Sequence, residues 1–504
     1  MTHSYLFCSN CGNKYEIQRL DTACSRCGGT LTVSYDYEAV KRTIDIETLD
    51  NRQAGVWRYF ELLPISKGAH TISLGEGGTY LHRCDRLAED IGISKLFIKN
   101  ETTNPTGSFI DRGTTVAVTR ATELGFKSVC CAPTGNLGAS LAAYAAKAGL
   151  KCNIFISREV DLGKLFQMIA YGAEMRLAGD PDEALIEARK NADRSYLVTP
   201  ADPFFLEGEK TVGFEICEQL GWRTCDRVIV PMGTGGNISM IWKSIKELHE
   251  IGLTKSVDSM MTGVQAEGCA PIVKAFVNRK QFIQSASRPK TIALDIAVKN
   301  PMYGSAALRA IKESHGSATA VSDAEILEAT RQLAKTEGIF AEPAAASTVA
   351  GLKKLIDLGK VERSEEIVCV ITGAGLKDPG TARKIVERLK EIDRLVRRME
   401  ERRLTTKLGD TKTRILEILS KKQLHGYGIW IELKEAFGLE ISIPSVYEHL
   451  AELEMLRLIR RTRTEAVAGK PERQYYSVTE MGRDAVRTVS KLASKRPPKV
   501  LDER

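Results

Sequence analysis

Between about residue 45 and residue 380, short β-branched runs alternate with stretches of helical pattern, and this alternation limits the possible folds more than any other feature. The runs include Lys95–Lys99, Ser128–Ala132, Cys152–Ser157, Arg227–Pro231 and Glu366–Ile371. Ala-rich helical pattern follows several of them, as in Leu137–Ala148 after the second. A strand followed by a helix reaches its next neighbour by a crossover. The pattern therefore predicts an α/β fold, with parallel sheets covered by helices on both faces. A chain of 504 residues exceeds one ordinary core and is expected to hold two to four domains. No uncharged apolar run reaches the length of a transmembrane helix. The N-terminus lacks the basic-then-apolar layout of a signal peptide, so the cytoplasm is the expected compartment.

Both ends of the chain differ from this middle. Four of the twelve cysteines stand as Cys8-x-x-Cys11 and Cys24-x-x-Cys27, each pair followed by glycine. A Cys-x-x-Cys turn presents two thiolates on one side, and two such turns supply four soft ligands for a structural zinc ion. Cys8, Cys11, Cys24 and Cys27 are thus the expected metal ligands of a small zinc ribbon. The other eight lie mostly in apolar runs and read as buried reduced thiols. The net charge of +8 is mild, but residues 411–504 hold 18 Lys and Arg against 13 Asp and Glu. That excess marks a small basic unit.

The most specific stretch is Asn104-Pro-Thr-Gly-Ser-Phe-Ile-Asp-Arg-Gly113, with Ser73-Leu-Gly-Glu-Gly-Gly78 before it and Thr134-Gly-Asn-Leu-Gly138 after it. Over about residues 1 to 380 the chain resembles threonine synthase, a fold-type II enzyme that uses pyridoxal phosphate. The resemblance implies a two-lobed, tryptophan-synthase-β-like core of parallel sheets. It also implies site roles. Phe109 would belong to the cofactor site and Asn136 would touch the ring hydroxyl. Gly233, Thr234, Gly235, Gly236 and Asn237 would cradle the phosphate, and Thr372 would face the pyridine nitrogen. Thr134, Gly135 and Leu137 would hold the substrate carboxylate. The phosphate assignment agrees with elementary physics, because glycines at a helix start let several N–H groups converge on an anion.

One position departs from the family pattern Ser-Phe-Lys-Asp-Arg-Gly: Ile110 stands where the family carries the lysine that forms the Schiff base. Isoleucine has no nucleophilic nitrogen and moves no proton, so covalent anchoring and normal turnover are both expected to fail. Lys99, Lys127 and Lys210 are the lysines near these motifs that a surrogate role would draw on. Three readings follow: a degenerate enzyme reused to bind pyridoxal phosphate, an amino acid or their adduct; a threonine synthase with an altered residue; or a structural relic. Smaller departures are Tyr80 where proline is usual, and Leu137 and Gly138 where a hydroxyl-bearing pair is common. They weaken the case for phosphohomoserine as ligand.

Residues 411–494 read as helix, helix, helix, strand, strand, helix, a winged helix-turn-helix. Ser442 is a good N-cap for the third helix, Ile443–Leu456, and Gly438 a good stop for the second. Leu-His-Gly-Tyr427, Ser-Val-Tyr447, Arg-Gln-Tyr-Tyr476 and Val-Thr-Glu-Met-Gly482 resemble the PadR transcription regulators. A third helix of this kind enters the major groove, which makes Ser445, Tyr447, Glu448 and His449 candidate DNA contacts. Arg460, Arg461, Arg463, Lys470 and Arg473 lie in and beside the wing and suit phosphates.

The expected layout is a zinc ribbon at 1–40, a threonine-synthase-like domain at 41–380, a helical linker at 381–410, a winged helix at 411–495 and a tail at 496–504. The linker carries Ile385, Leu389, Ile392, Val396 and Met399 at heptad spacing. The expected partners are double-stranded DNA, an amino acid or phosphohomoserine-like ligand, and a second copy of the chain, with no membrane. The expected function is a ligand-sensing transcription regulator. The alternative is an active threonine synthase with an appended DNA-binding domain.

Overall fold

Strands Arg227–Pro231 and Glu366–Ile371 are buried at every residue, as strands must be when helices cover both faces of a sheet. In the computed structural model they sit side by side at the centre of a six-stranded sheet. Its order is Ser317–Val321, Met260–Ala266, Arg227–Pro231, Glu366–Ile371, Lys95–Asn100, Leu81–Arg83. All neighbours are parallel except the last pair. A second sheet of four parallel strands runs Glu174–Leu177, Lys151–Ile156, Ser128–Cys131, Tyr196–Leu197. Each sheet corresponds to one lobe of the expected core. The structure describes residues 4–18, 23–132, 135–156, 162–380, 408–465 and 473–493.

The chain divides into two compact units, Met1–Ile385 and Val386–Arg504. In the first, the cysteine pairs sit on a three-stranded antiparallel sheet ordered Lys14–Tyr15, Ser4–Cys8, Leu31–Tyr35. This sheet shares one hydrophobic core with the large domain. Leu6, Leu31 and Val33 belong to the same buried cluster as Phe214, Val228 and Ile241. The ribbon is bolted down by charge as well. Tyr35 donates to Glu207 at 2.7 Å, and Lys243 donates to the Val33 carbonyl at 2.7 Å.

The second unit is built of helices Asp410–Lys421, Gly426–Phe437, Ile443–Met455 and Glu480–Ala493 with strands Ile459–Glu465 and Arg473–Val478. Gly438 ends the second helix at φ 65°, and the Ser442 side chain accepts from the Ser445 amide to start the third. One element was not expected: Leu424–His425 pairs antiparallel with Arg473–Val478 and makes the sheet three-stranded. The core is Ile415, Leu419, Ile429, Leu433, Val446, Leu450, Leu453 and Tyr476, among others. The heptad stripe at 385–399 lies outside the described residues, as do nearly all of the expected linker and the tail. Among the described residues no helix is long and apolar enough to cross a membrane.

Candidate functional site

Parallel strands deliver their C-terminal ends, and the helix starts that follow, to one edge of the sheet. Strand Arg227–Pro231 ends there and turns through Met232-Gly-Thr-Gly235 into helix Gly236–Glu250. Gly235 has φ +90°, and a Cβ on it would stand 2.8 Å from the Tyr303 carbonyl oxygen. Only glycine fits such a turn. The Gly236 amide makes a long 3.4 Å bond to the Thr234 hydroxyl, and among the described residues the N-cap position supplies no side-chain cap, so this helix start keeps N–H groups suited to an anion. Asn237 is buried, with neither polar side-chain atom bonded to a described group.

Six further chain segments line the same cavity, of about 90 Å³. Helix Asn136–Ala148 begins there. The Asn136 amide nitrogen donates to Glu342 at 3.1 Å, while its oxygen is buried and has no partner among the described residues. Glu342 caps helix Pro343–Asp357 at the chain level, and burial together with the nearby Asp295 charge pushes its carboxyl up to about 7. Thr372 follows strand Glu366–Ile371, and its carbonyl accepts from the Phe109 amide at 2.9 Å. That bond pins the start of helix Ile110–Glu123 against the strand end. Ile110, its first residue, is half-buried and lines the cavity.

The cavity thus brings together Phe109, Ile110, Asn136, Leu137, Gly233, Thr234, Gly235, Asn237 and Thr372. Gly236 opens the helix beside it, and Gly135 precedes the Asn136 helix at φ +85°. Thr134 lies outside the described residues. A glycine cradle at a helix start suits a phosphate, and the orphaned amide atoms of Asn136 and Asn237 suit a polar ring. The donor set therefore fits pyridoxal phosphate.

The three lysines singled out from the sequence are elsewhere. Lys99 is fully buried and donates to Glu215 at 2.6 Å and to the Thr79 carbonyl at 2.6 Å. Lys210 is bound to Glu207 and, at 2.8 Å, to Glu247. Lys127 is exposed in a turn. Two others approach the cavity. Lys164, 2% exposed, donates to Asp295 at 2.5 Å and stands 3.9 Å from Glu342. Lys377 is buried and donates to the Thr106 carbonyl at 2.5 Å; burial lowers its pKa. Lys377 closely follows Thr372 in the run Thr372-Gly-Ala-Gly-Leu-Lys-Asp378, whereas nothing in the sequence pointed to Lys164, whose partner is 131 residues away.

At the ribbon, the four cysteine sulfurs lie within 4.8 Å of one another, with Cys8 and Cys27 at 3.5 Å and Cys11 and Cys24 at 3.7 Å. Tetrahedral zinc with bonds of about 2.3 Å needs sulfurs roughly 3.8 Å apart, so the set fits the ion.

In the second unit Tyr447 and Glu448 are exposed on helix Ile443–Met455, while Ser445 and His449 are half-buried. Arg460, Arg461 and Arg463 project from strand Ile459–Glu465 into solvent. Arg461 is paired with Glu454 at 2.8 Å, and Arg463 lies 4.2 Å from the Tyr475 ring centroid. Arg460 donates weakly to Ser477 at 3.4 Å. Arg473 is half-buried at the start of the partner strand, and Lys470 lies outside the described residues.

Comparison with known proteins agrees with this geometry. Residues 72–373 match the pyridoxal-phosphate dependent enzyme family, and residues 415–488 match the transcriptional regulator PadR-like family. The chain is 49% identical to a threonine synthase of Methanocaldococcus jannaschii over 379 residues, covering 74% of this chain and 93% of that protein. It is 45% identical to one of Methanosarcina acetivorans, covering 77% and 96%. Among solved structures, maize serine racemase superposes with a TM-score of 0.53 at 21% identity, covering 62% of this chain and 93% of that one. That likeness speaks for the fold alone.

Proposed function

We propose, for a chain that belongs to the pyridoxal-phosphate dependent enzymes and within them to the threonine synthases, that the cofactor site now works as a sensor whose occupancy is reported by the PadR-like domain. The observation that carries this is the cavity itself. It keeps the groups suited to hold the cofactor, while Ile110 fills the place of the family's Schiff-base lysine. Bound pyridoxal phosphate supplies an aldehyde and an electron-accepting ring. The protein's residues hold it as follows. The N–H groups of residues 233–237 and the helix dipole behind them would bind the phosphate. Asn136, braced by Glu342, would hold the ring hydroxyl, and Thr372 would face the ring nitrogen. Ile110 offers an apolar wall and no proton. Gly135 and Leu137 would offer backbone donors to an amino-acid carboxylate.

Loss of the covalent tether has a functional meaning. A tethered cofactor stays bound at any concentration, whereas a cofactor held by hydrogen bonds exchanges and can report its concentration. The C-terminal domain would read that state on DNA, as a homodimer on a two-fold site. The test is a mobility shift with the gene's own upstream DNA, with and without pyridoxal phosphate and amino acids. Binding that changes with ligand supports the sensor; no binding at low salt counts against it.

The wing arginines are proposed to touch phosphates. Replacing Arg460 and Arg463 by glutamine is expected to weaken all DNA sequences alike and lower the salt slope of log K by about one per lost contact. A slope unchanged in both variants would place DNA elsewhere.

The four-cysteine set is proposed to bind structural zinc. Purified protein is expected to carry one zinc per chain by metal analysis. The Cys11→Ser variant is expected to lose it and melt earlier, because Leu6, Leu31 and Val33 share the main core. A metal-free wild type of equal stability would refute the zinc assignment.

A second reading, a working threonine synthase, is favoured by Lys164 and Lys377. Both bring a buried ammonium close to groups of the cavity wall or its supporting loop. It requires one of them to bond the cofactor, which peptide mapping after borohydride tests directly.

A further inference from the structure

The phosphate cradle has a neighbour that the assignments above do not use. Glu209 ends helix Pro203–Glu209, is 4% exposed and lines the same cavity. It is brought there by a close helix crossing, where a Cβ on Gly208 would stand 1.9 Å from the Arg112 carbonyl oxygen. One Glu209 carboxyl oxygen lies 3.4 Å from the position a Cβ would take on Gly236, and the Thr234 hydroxyl lies 3.6 Å from that same point. The carboxyl therefore sits at the mouth of the helix that the anion is expected to face.

A carboxylate beside an anion site is repulsive unless it is neutral or paired. Glu209 is not paired: among the described residues neither a cation nor a hydrogen-bond donor acts on it. The ionisable groups around it are acids or turned elsewhere. On its own helix and cap, Asp202 is engaged by Tyr196 and the Phe204 amide, and Glu207 by Lys210, Lys243 and Tyr35. Lys210 directs its ammonium to Glu207 and Glu247. From the facing segment comes the Tyr303 phenol, which donates to the Ala201 carbonyl. Across the cavity stand Asp295 and Glu342.

Building on the cofactor reading of this cavity, we infer that Glu209 binds the phosphate as an un-ionised acid, donating its carboxyl proton to a phosphate oxygen, so that capture of a phosphorylated ligand is coupled to retention of that proton. The supporting electrostatics agree, since burial pushes the Glu209 carboxyl up to about 8. Below that value the group is a donor, and above it a fixed negative charge faces the phosphate.

The test is equilibrium binding to the full-length protein at pH 7 and pH 9, using pyridoxal 5′-phosphate and unphosphorylated pyridoxal as probes. For the wild type, affinity for the phosphorylated probe is expected to fall about tenfold between the two, because one proton is required for binding. Pyridoxal should show no comparable loss. Glu209→Gln keeps a donor that does not titrate, so its affinity for the phosphorylated probe should change with pH only as pyridoxal's does. The inference is overturned if the wild type holds the phosphorylated probe equally well at both pH values, or loses both probes in parallel. It is equally overturned if a folded Glu209→Gln protein repeats the wild-type loss. Failure to bind pyridoxal phosphate at any pH would sink the cofactor reading itself, and this inference with it.

Discussion

Ile110→Lys is expected to turn the non-covalent site into a covalent one. Position 110 opens helix Ile110–Glu123 and lines the cavity, and the Phe109–Thr372 bond holds the backbone there. A lysine stem replaces much of the isoleucine's apolar contact, and its ammonium enters a cavity walled by Asp295 and Glu342, so the new charge has partners. The variant should form a bond to the cofactor's aldehyde that borohydride fixes on the peptide containing residue 110. A lysine there also restores a group that moves protons at the reacting carbons. General acid–base catalysis is worth about 10²–10⁴-fold. Threonine formation from phosphohomoserine is therefore expected to rise by that order over the parent chain, read as phosphate release and amino-acid product. A variant that folds, binds the cofactor and fixes none of it would mean that residue 110 does not face the aldehyde.

Arg112→Leu is expected to carry the largest loss of stability of any substitution near the site. Arg112 is fully buried between two acids. It donates to Glu101 at 2.6 and 2.9 Å and to both oxygens of Glu215 at 2.7 Å, with Thr79 and Thr211 completing its donors at 3.0 Å. Lys99 is the second cation on Glu215. Burial alone would raise the Glu215 pKa, but the Arg112 and Lys99 charges outweigh it and hold the carboxyl well below the usual range. Its contribution is therefore full above the unfolded value of about 4.3 and is lost as pH falls further. Removing Arg112 leaves Glu101 buried without its cation, which typically costs about 3–5 kcal/mol. Denaturant titration should show this, and Arg112→Lys should recover only part, because an ammonium cannot bridge two carboxylates in the same fork. A loss under about 1 kcal/mol would show that the network is not what holds this helix.

What was legible in the sequence follows from burial. Strands Arg227–Pro231 and Glu366–Ile371 appear with the boundaries their residues suggest, because both faces are covered and the runs are almost wholly apolar. Edge strands do not announce themselves. Glu174–Leu177 is mostly exposed and Leu81–Arg83 is short and polar. Glycine-rich phosphate loops are legible because a tight turn at a helix start demands glycine whatever surrounds it. Lys164 was not, since its place depends on pairing with Asp295 across the fold. Glu209 was visible as a residue of Glu207-Gly-Glu-Lys-Thr211, but its isolation from cations among the described residues is a property of the packing. In the C-terminal unit, helical periodicity and the caps at Gly438 and Ser442 set the helices well. The short strand Leu424–His425 has too few residues to show a period.

The central claim is that the cofactor site of a threonine synthase has become a reversible binding site. It is tested most directly by an absorbance spectrum of the purified protein with pyridoxal phosphate, followed by borohydride, gel filtration under denaturing conditions and peptide mass analysis. Bound cofactor that separates completely from the chain, leaving every peptide at its unmodified mass, is the result expected. A cofactor mass fixed on a peptide carrying Lys164 or Lys377 would contradict it, and would make the chain an enzyme with a relocated lysine.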